Sequence, residues 1–139
     1  MRAKWMIAIL AAAQLGVVAL AQDKSTLDGV YTAEQAARGE AVYTKSCAGC
    51  HQADLSGDGM TPSLAGKDFN NDWVDQTMSD LFERTRISMP GDNPGSLKPN
   101  DVADVLAFLL SKGKFPAGQT ELPPDTAALK GIKFVAPKG

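Results

Sequence analysis

The 139-residue sequence is poor in side chains that hold metals or move protons, with one histidine and two cysteines. A closed structural zinc site wants four Cys or His ligands, so that class is short of a ligand. A lone histidine also leaves no second imidazole to serve as acid, base or opposing metal ligand. Basic residues are outnumbered by acidic ones, 14 to 16, for a formal charge of −2. That balance argues against nucleic-acid binding, which calls for a basic face. Neither internal repeats nor an alternating strand pattern can be found, so the expected class is all-α. The one long apolar run, Trp5 to Leu20, is interrupted by Gln14 and Gly16. It falls short of the roughly 20 residues that a membrane span prefers.

Arg2 and Lys4 precede that run and Ala19-Leu20-Ala21 closes it, the pattern of a cleaved secretory signal. Residues 1–21 are therefore expected to leave on export, with the exported chain starting at Gln22 and no permanent membrane anchor remaining. Two of the 14 Lys/Arg and none of the 16 Asp/Glu lie in that segment, so the exported chain is more acidic than the whole. It is long enough for one modest core. Its charge is compatible with docking on a basic patch of another protein.

The chemistry that is present is concentrated in Cys47-Ala48-Gly49-Cys50-His51, which holds both cysteines and the histidine. Two thiols on one helical turn can add to the two vinyl groups of a haem, and the histidine directly after them can bind its iron. A thioredoxin-like pair would need strand–helix–strand surroundings that are missing nearby, and a structural disulfide would leave the histidine unexplained. The motif reads as the attachment point of one covalent haem c, with His51 as a metal ligand. The other axial position falls to a methionine thioether or stays open. Met78 belongs to an apolar helical stripe and Met60 sits among glycines, so Met89, pinned before Pro90, is the expected second ligand. With both positions filled, single-electron exchange is the remaining chemistry.

Thr32 and Gln35 have capping-box spacing, and Tyr31 is placed to staple onto Ala36, which opens a helix running into Cys47. Gly39 within it implies close approach of another helix. Asp54 to Gly66 reads as a loop, and a carbonyl near Pro62 is a plausible acceptor for the His51 ring. A second helix is expected from Asn71 or Asp72 to about Arg86, with Trp73 at its start and Val74, Met78, Leu81 and Phe82 as its apolar stripe. Arg84 and Arg86 either pair with a haem propionate or stay solvated. A third helix, Pro99 to Lys112 with Gly113 as stop, carries Val102, Val105, Leu106, Leu109 and Leu110 toward the core and Phe108 toward Gly39 and Tyr43. Four segments result: the signal at 1–21, a loose lead-in at 22–29, the main domain at 30–113 and an irregular extension at 114–139. The extension either wraps the body, with a turn of helix at Asp125 to Lys130, or serves as a strap for a partner.

Over Val30 to Lys112 the chain resembles the small class I cytochromes c of bacterial periplasms. The residues that carry the likeness are Gly39, Tyr43, Cys47-Ala48-Gly49-Cys50-His51, Pro62-Ser63-Leu64-Ala65-Gly66, Met89-Pro90 and the closing helix through Phe108. The resemblance implies three main helices around one haem, His51 and Met89 as axial ligands, and Cys47 and Cys50 as thioether anchors. It also implies that the Pro62 carbonyl accepts from His51, that Leu64 packs on the haem, and that Gly39 lets two helices cross. Trp73, Arg84 and Arg86 are further candidates for the haem surroundings. Such a protein is a monomeric periplasmic electron carrier with redox protein partners, not an enzyme. Gly29-Val30-Tyr31-Thr32 and the Arg84 to Leu97 stretch look like cytochromes that accept electrons from quinoprotein or flavoprotein dehydrogenases and pass them to an oxidase or another cytochrome. Two alternatives stand beside this: a haem enzyme or gas-binding protein with an open sixth position, and a dedicated cytochrome subunit of a dehydrogenase complex.

Overall fold

A computed structural model describes residues 23–138. The expected signal, residues 1–21, lies outside the described residues. Six helices follow in order: α1 (Ala33–Ser46), α2 (Ala48–His51), α3 (Gly66–Trp73), α4 (Met78–Ser88), α5 (Pro99–Lys112) and α6 (Thr126–Leu129). A short parallel pair, β1 (Lys24–Ser25) and β2 (Ile132–Lys133), joins the two ends of the described chain. Among the described residues no helix is long and apolar enough to cross a membrane.

α1 starts where its cap predicts, with Thr32 Oγ1 accepting from the Gln35 backbone N–H at 3.1 Å. The Gln35 side chain does not complete a capping box. Its Nε2 donates to the Leu122 carbonyl at 3.0 Å, and its Oε1 accepts from the Leu122 N–H at 2.8 Å. Because Gln35 is buried, both polar ends of its amide need partners, and the tail backbone supplies them. α1 packs on α5 at Gly39, where an added methyl group would lie 1.8 Å from the Asp104 carbonyl oxygen and 3.0 Å from Phe108 Cβ. Beside the crossing, the Tyr43 and Phe108 ring centroids are 5.1 Å apart. Arg38 makes two 3.0 Å bonds to the Asp104 carboxylate and a 2.9 Å bond to Glu121, which raises its guanidinium above the ordinary value. The Arg38 side chain is half exposed, so this pair contributes little beyond alignment.

The helix expected from Asn71 or Asp72 to Arg86 is two helices, because a capping box interrupts it. Trp73 therefore closes α3, and Asp75 takes a positive φ of 69° in the turn that follows. Thr77 then caps α4: its Oγ1 accepts from the Asp80 N–H at 3.3 Å, while the Asp80 carboxylate accepts from Thr77 N–H and Oγ1–H at 2.8 and 2.7 Å. Reciprocal caps of this kind favour a new start over continuation. Val74, expected on the apolar stripe, is 41% exposed, while Met78, Leu81 and Phe82 are buried.

Thr77→Ala is expected to cost about 1 kcal/mol in denaturant unfolding. The bonds from the Thr77 side chain, then those from its backbone, hold the Asp80 carboxyl below its ordinary 3.8. A group whose folded value is depressed stabilises fully above its unfolded value. The gap between wild type and variant should therefore be constant near neutrality and shrink as pH falls through and below 3.8.

Residues 24–28 are anchored and not loose. Lys24 N–H donates to the Gly131 carbonyl and Thr26 N–H to the Lys133 carbonyl, both at 2.9 Å. Thr26 Oγ1 donates to the Val135 carbonyl at 2.7 Å and accepts from its N–H at 2.9 Å. The partner lies 109 positions away, beyond any local pattern. The extension wraps the body, with Phe115, Leu122, Leu129, Ile132 and Phe134 all buried. Phe134 packs edge-on against Phe69 and Phe115 at 6.0 and 5.3 Å, and the Tyr31 hydroxyl donates to the Phe115 carbonyl at 2.7 Å. A strap for a partner would keep such anchors free, whereas here they complete the core.

Candidate haem-binding site

Cys47 is the joint between α1 and α2. Its N–H donates to the Tyr43 carbonyl at 2.8 Å, and its carbonyl accepts from the N–H groups of Cys50 and His51 at 3.2 and 2.9 Å. The attachment turn therefore continues α1 after a single kinked residue, and the α1–α5 crossing holds it rigid. Both thiols are free, Cys47 half-buried and Cys50 exposed. Burial pushes the Cys47 thiol up to about 11, which keeps it protonated near neutrality.

His51 is 6% exposed, and its Nδ1 lies 2.9 Å from the Pro62 carbonyl oxygen. A carbonyl can only accept, so the proton sits on Nδ1 and Nε2 keeps an open lone pair. Imidazoles that bind metals are commonly oriented in this way. The loop that delivers Pro62 is folded on itself, with Gly57 N–H donating to the His51 carbonyl at 3.1 Å and Leu64 N–H to the Leu55 carbonyl at 2.9 Å. Gly57 has φ +69°, and a methyl group on it would lie 2.1 Å from the Thr61 carbonyl oxygen. Asp58 caps the tip of the loop, accepting from Met60 and Thr61 N–H at 3.1 and 2.7 Å.

Leu64 and Trp73 are partly buried against the core, as are Val42, Cys47, Ala65 and Leu97. They come from the attachment turn and the helix before it, the Pro62 loop, α3 and the loop before α5, and each keeps part of its apolar side chain exposed. On α3, Asn70 Oδ1 is buried without a hydrogen-bond partner among the described residues. Partly exposed apolar side chains, two free thiols and an imidazole with one free nitrogen suit a porphyrin whose iron takes the nitrogen. A surface hollow of about 270 Å³ between α1 and α5, beside Tyr31 and Phe108, shares no lining residue with the attachment turn.

The described methionines differ sharply: Met78 is fully buried in α4, Met60 is 96% exposed, and Met89 is half-buried. Met89 caps α4, its N–H donating to the Thr85 carbonyl at 3.0 Å. The loop after it closes through Gly95 N–H to the Met89 carbonyl at 3.2 Å and Asn93 N–H to the Pro90 carbonyl at 3.0 Å. Of the two arginines, Arg86 makes 3.1 and 2.7 Å bonds to Glu83, which also accepts from the Thr126 hydroxyl of α6. Arg84 is exposed. Two residues escaped the sequence pattern. Asn70 carried no signal, and Gln52, with φ +66°, occupies a conformation that usually announces itself by glycine or asparagine.

A helical body built around a Cys-x-x-Cys-His turn defines a c-type cytochrome of the class I fold. Residues 34–109 match the family described as cytochrome c oxidase, cbb3-type, subunit III, and the chain belongs to that family. With membership come a covalently bound haem c, its iron, and electron transfer with redox protein partners. No curated protein matches the chain.

Proposed function

We propose that the protein is an exported monohaem carrier, taking single electrons from a periplasmic dehydrogenase and passing them to a downstream oxidase or cytochrome. The carrying observation is His51, locked by the Pro62 carbonyl at 2.9 Å on a turn with two free thiols. In this reading Cys47 and Cys50 hold the haem by thioethers, and His51 and Met89 hold its iron. Bound haem supplies a one-electron change at that iron. The chain's part is to stay still: Pro62 keeps the His51 proton, Leu64, Trp73 and Leu97 exclude water, and the α1–α5 crossing fixes the turn. Met89 is supported by contrast with the sealed Met78 and the solvent-facing Met60. Arg84 is the better candidate for a propionate, since Arg86 already serves Glu83. The family description names an oxidase subunit, which supports the oxidase end of the path. The dehydrogenase end rests on the likeness at Gly29–Thr32 and Arg84–Leu97, and export rests on residues 1–21.

Protein made in an export-competent host should keep its haem through denaturing electrophoresis, and its reduced form should ignore carbon monoxide near neutral pH. Loss of haem on denaturation would end the covalent assignment. Rapid, full carbon monoxide binding would favour the enzyme or gas-binding alternative. Stable co-purification with one dehydrogenase would mark a subunit instead of a shuttle.

A further inference from the structure

Tyr43 has two attachments that separate cleanly. Its ring packs on Phe108 at the helix crossing, while its hydroxyl donates to the Gln52 carbonyl at 2.7 Å. Gln52 directly follows His51 and holds φ 66° and ψ 156°, a region nearly reserved for glycine. A non-glycine residue keeps such a conformation only when its surroundings impose it. The same Gln52 carbonyl accepts from Leu55 N–H at 3.2 Å, and the Leu55 carbonyl in turn accepts from Leu64 N–H at 2.9 Å. Leu64 lies two residues after Pro62, whose carbonyl takes the His51 ring proton. One hydroxyl thus pins the start of the loop that carries both the imidazole and its acceptor.

We propose that Tyr43 is a positioning residue for His51: by holding the Gln52 carbonyl it fixes the imidazole against the Pro62 carbonyl. The inference rests on the haem site proposed above and adds to it a residue that acts on the ligand through the backbone. Burial, the largest cause, pushes the Tyr43 phenol up to about 12, so it remains a donor throughout the neutral range.

The test uses haem-loaded Tyr43→Phe. The ring keeps its place on Phe108, so haem content and overall fold are expected to persist. The reduction potential should rise, because a looser Nδ1–H bond makes His51 a less basic ligand. By NMR, the His51 Nδ1 proton should exchange with solvent about fivefold faster, the factor one ordinary hydrogen bond represents. Adding Gln52→Gly removes the penalty of the positive φ and should return both readings toward wild type. A tyrosine with only a structural role would lower the melting temperature and leave potential and proton exchange unmoved, which would overturn the proposal. So would a double variant that behaves like Tyr43→Phe alone. Wild-type protein lacking covalent haem would instead remove the site itself, before any variant is compared.

Discussion

Gly39→Ala should destabilise the holoprotein by about 3 kcal/mol or more in denaturant unfolding, at the top of the range for overpacked sites. Two opposing effects set the sign. In a helix interior alanine is worth about 1 kcal/mol more than glycine. Against that gain, the new methyl would sit 1.8 Å from the Asp104 carbonyl oxygen, a backbone atom inside α5. No side chain can swing aside to admit it, so the helices themselves must part. Their parting would loosen the Tyr43–Phe108 contact and the Arg38–Asp104 pair. Set against a typical stability of about 5–15 kcal/mol, the loss is large enough to reduce the yield of folded protein. Gly131→Ala is the matched control, because a methyl there meets nothing within 4 Å. Its effect should stay within about 0.5 kcal/mol. Equal effects at the two sites would remove the crossing as the reason for Gly39.

Met89→Ala should abolish the sulfur–iron absorption band of the oxidised protein and lower its reduction potential. Thioether stabilises ferrous iron, and axial ligation moves haem potentials over about 0.8 V. A fall of at least about 59 mV, a tenfold change in a one-electron equilibrium, is expected. The reduced variant should also take up carbon monoxide that the wild type refuses. Met60→Ala should change none of these, since that side chain is 96% exposed. An unchanged band in Met89→Ala would strike Met89 from the ligand set.

The haem chemistry was legible because it is local. Two thiols and an imidazole within five residues need no tertiary context to be read, and the cap at Thr32 and the stop at Gly113 lie beside the helices they bound. Gly39 was legible for a related reason: a glycine in a helix that otherwise favours alanine demands a close neighbour. Pattern failed where competition between neighbours decided the outcome. The stripe from Val74 to Phe82 keeps helical spacing, yet the Thr77–Asp80 box wins and the chain turns at Asp75. It failed again wherever the partner was remote. Thr26 and Val135 exchange two hydrogen bonds across 109 positions, and Gln35 reaches 87 positions to Leu122. Neither pairing leaves a periodic trace. Gln52 was invisible because its positive φ is not encoded in its own residue type, and the hydroxyl that binds its carbonyl comes from Tyr43 in α1.

The pairing of β1 with β2 bears on biosynthesis. The first described residues acquire their partners only when Gly131 to Val135 exist and have arrived beside them. Closing so long a loop must precede the contacts that reward it. A nascent chain therefore cannot seal this seam before Gly131 to Val135 have been made and released. A product cut short before Gly131 would expose the Phe69 face that Phe134 covers, marking it for proteases. The seam thus forms late and reports that the segment through Val135 has arrived.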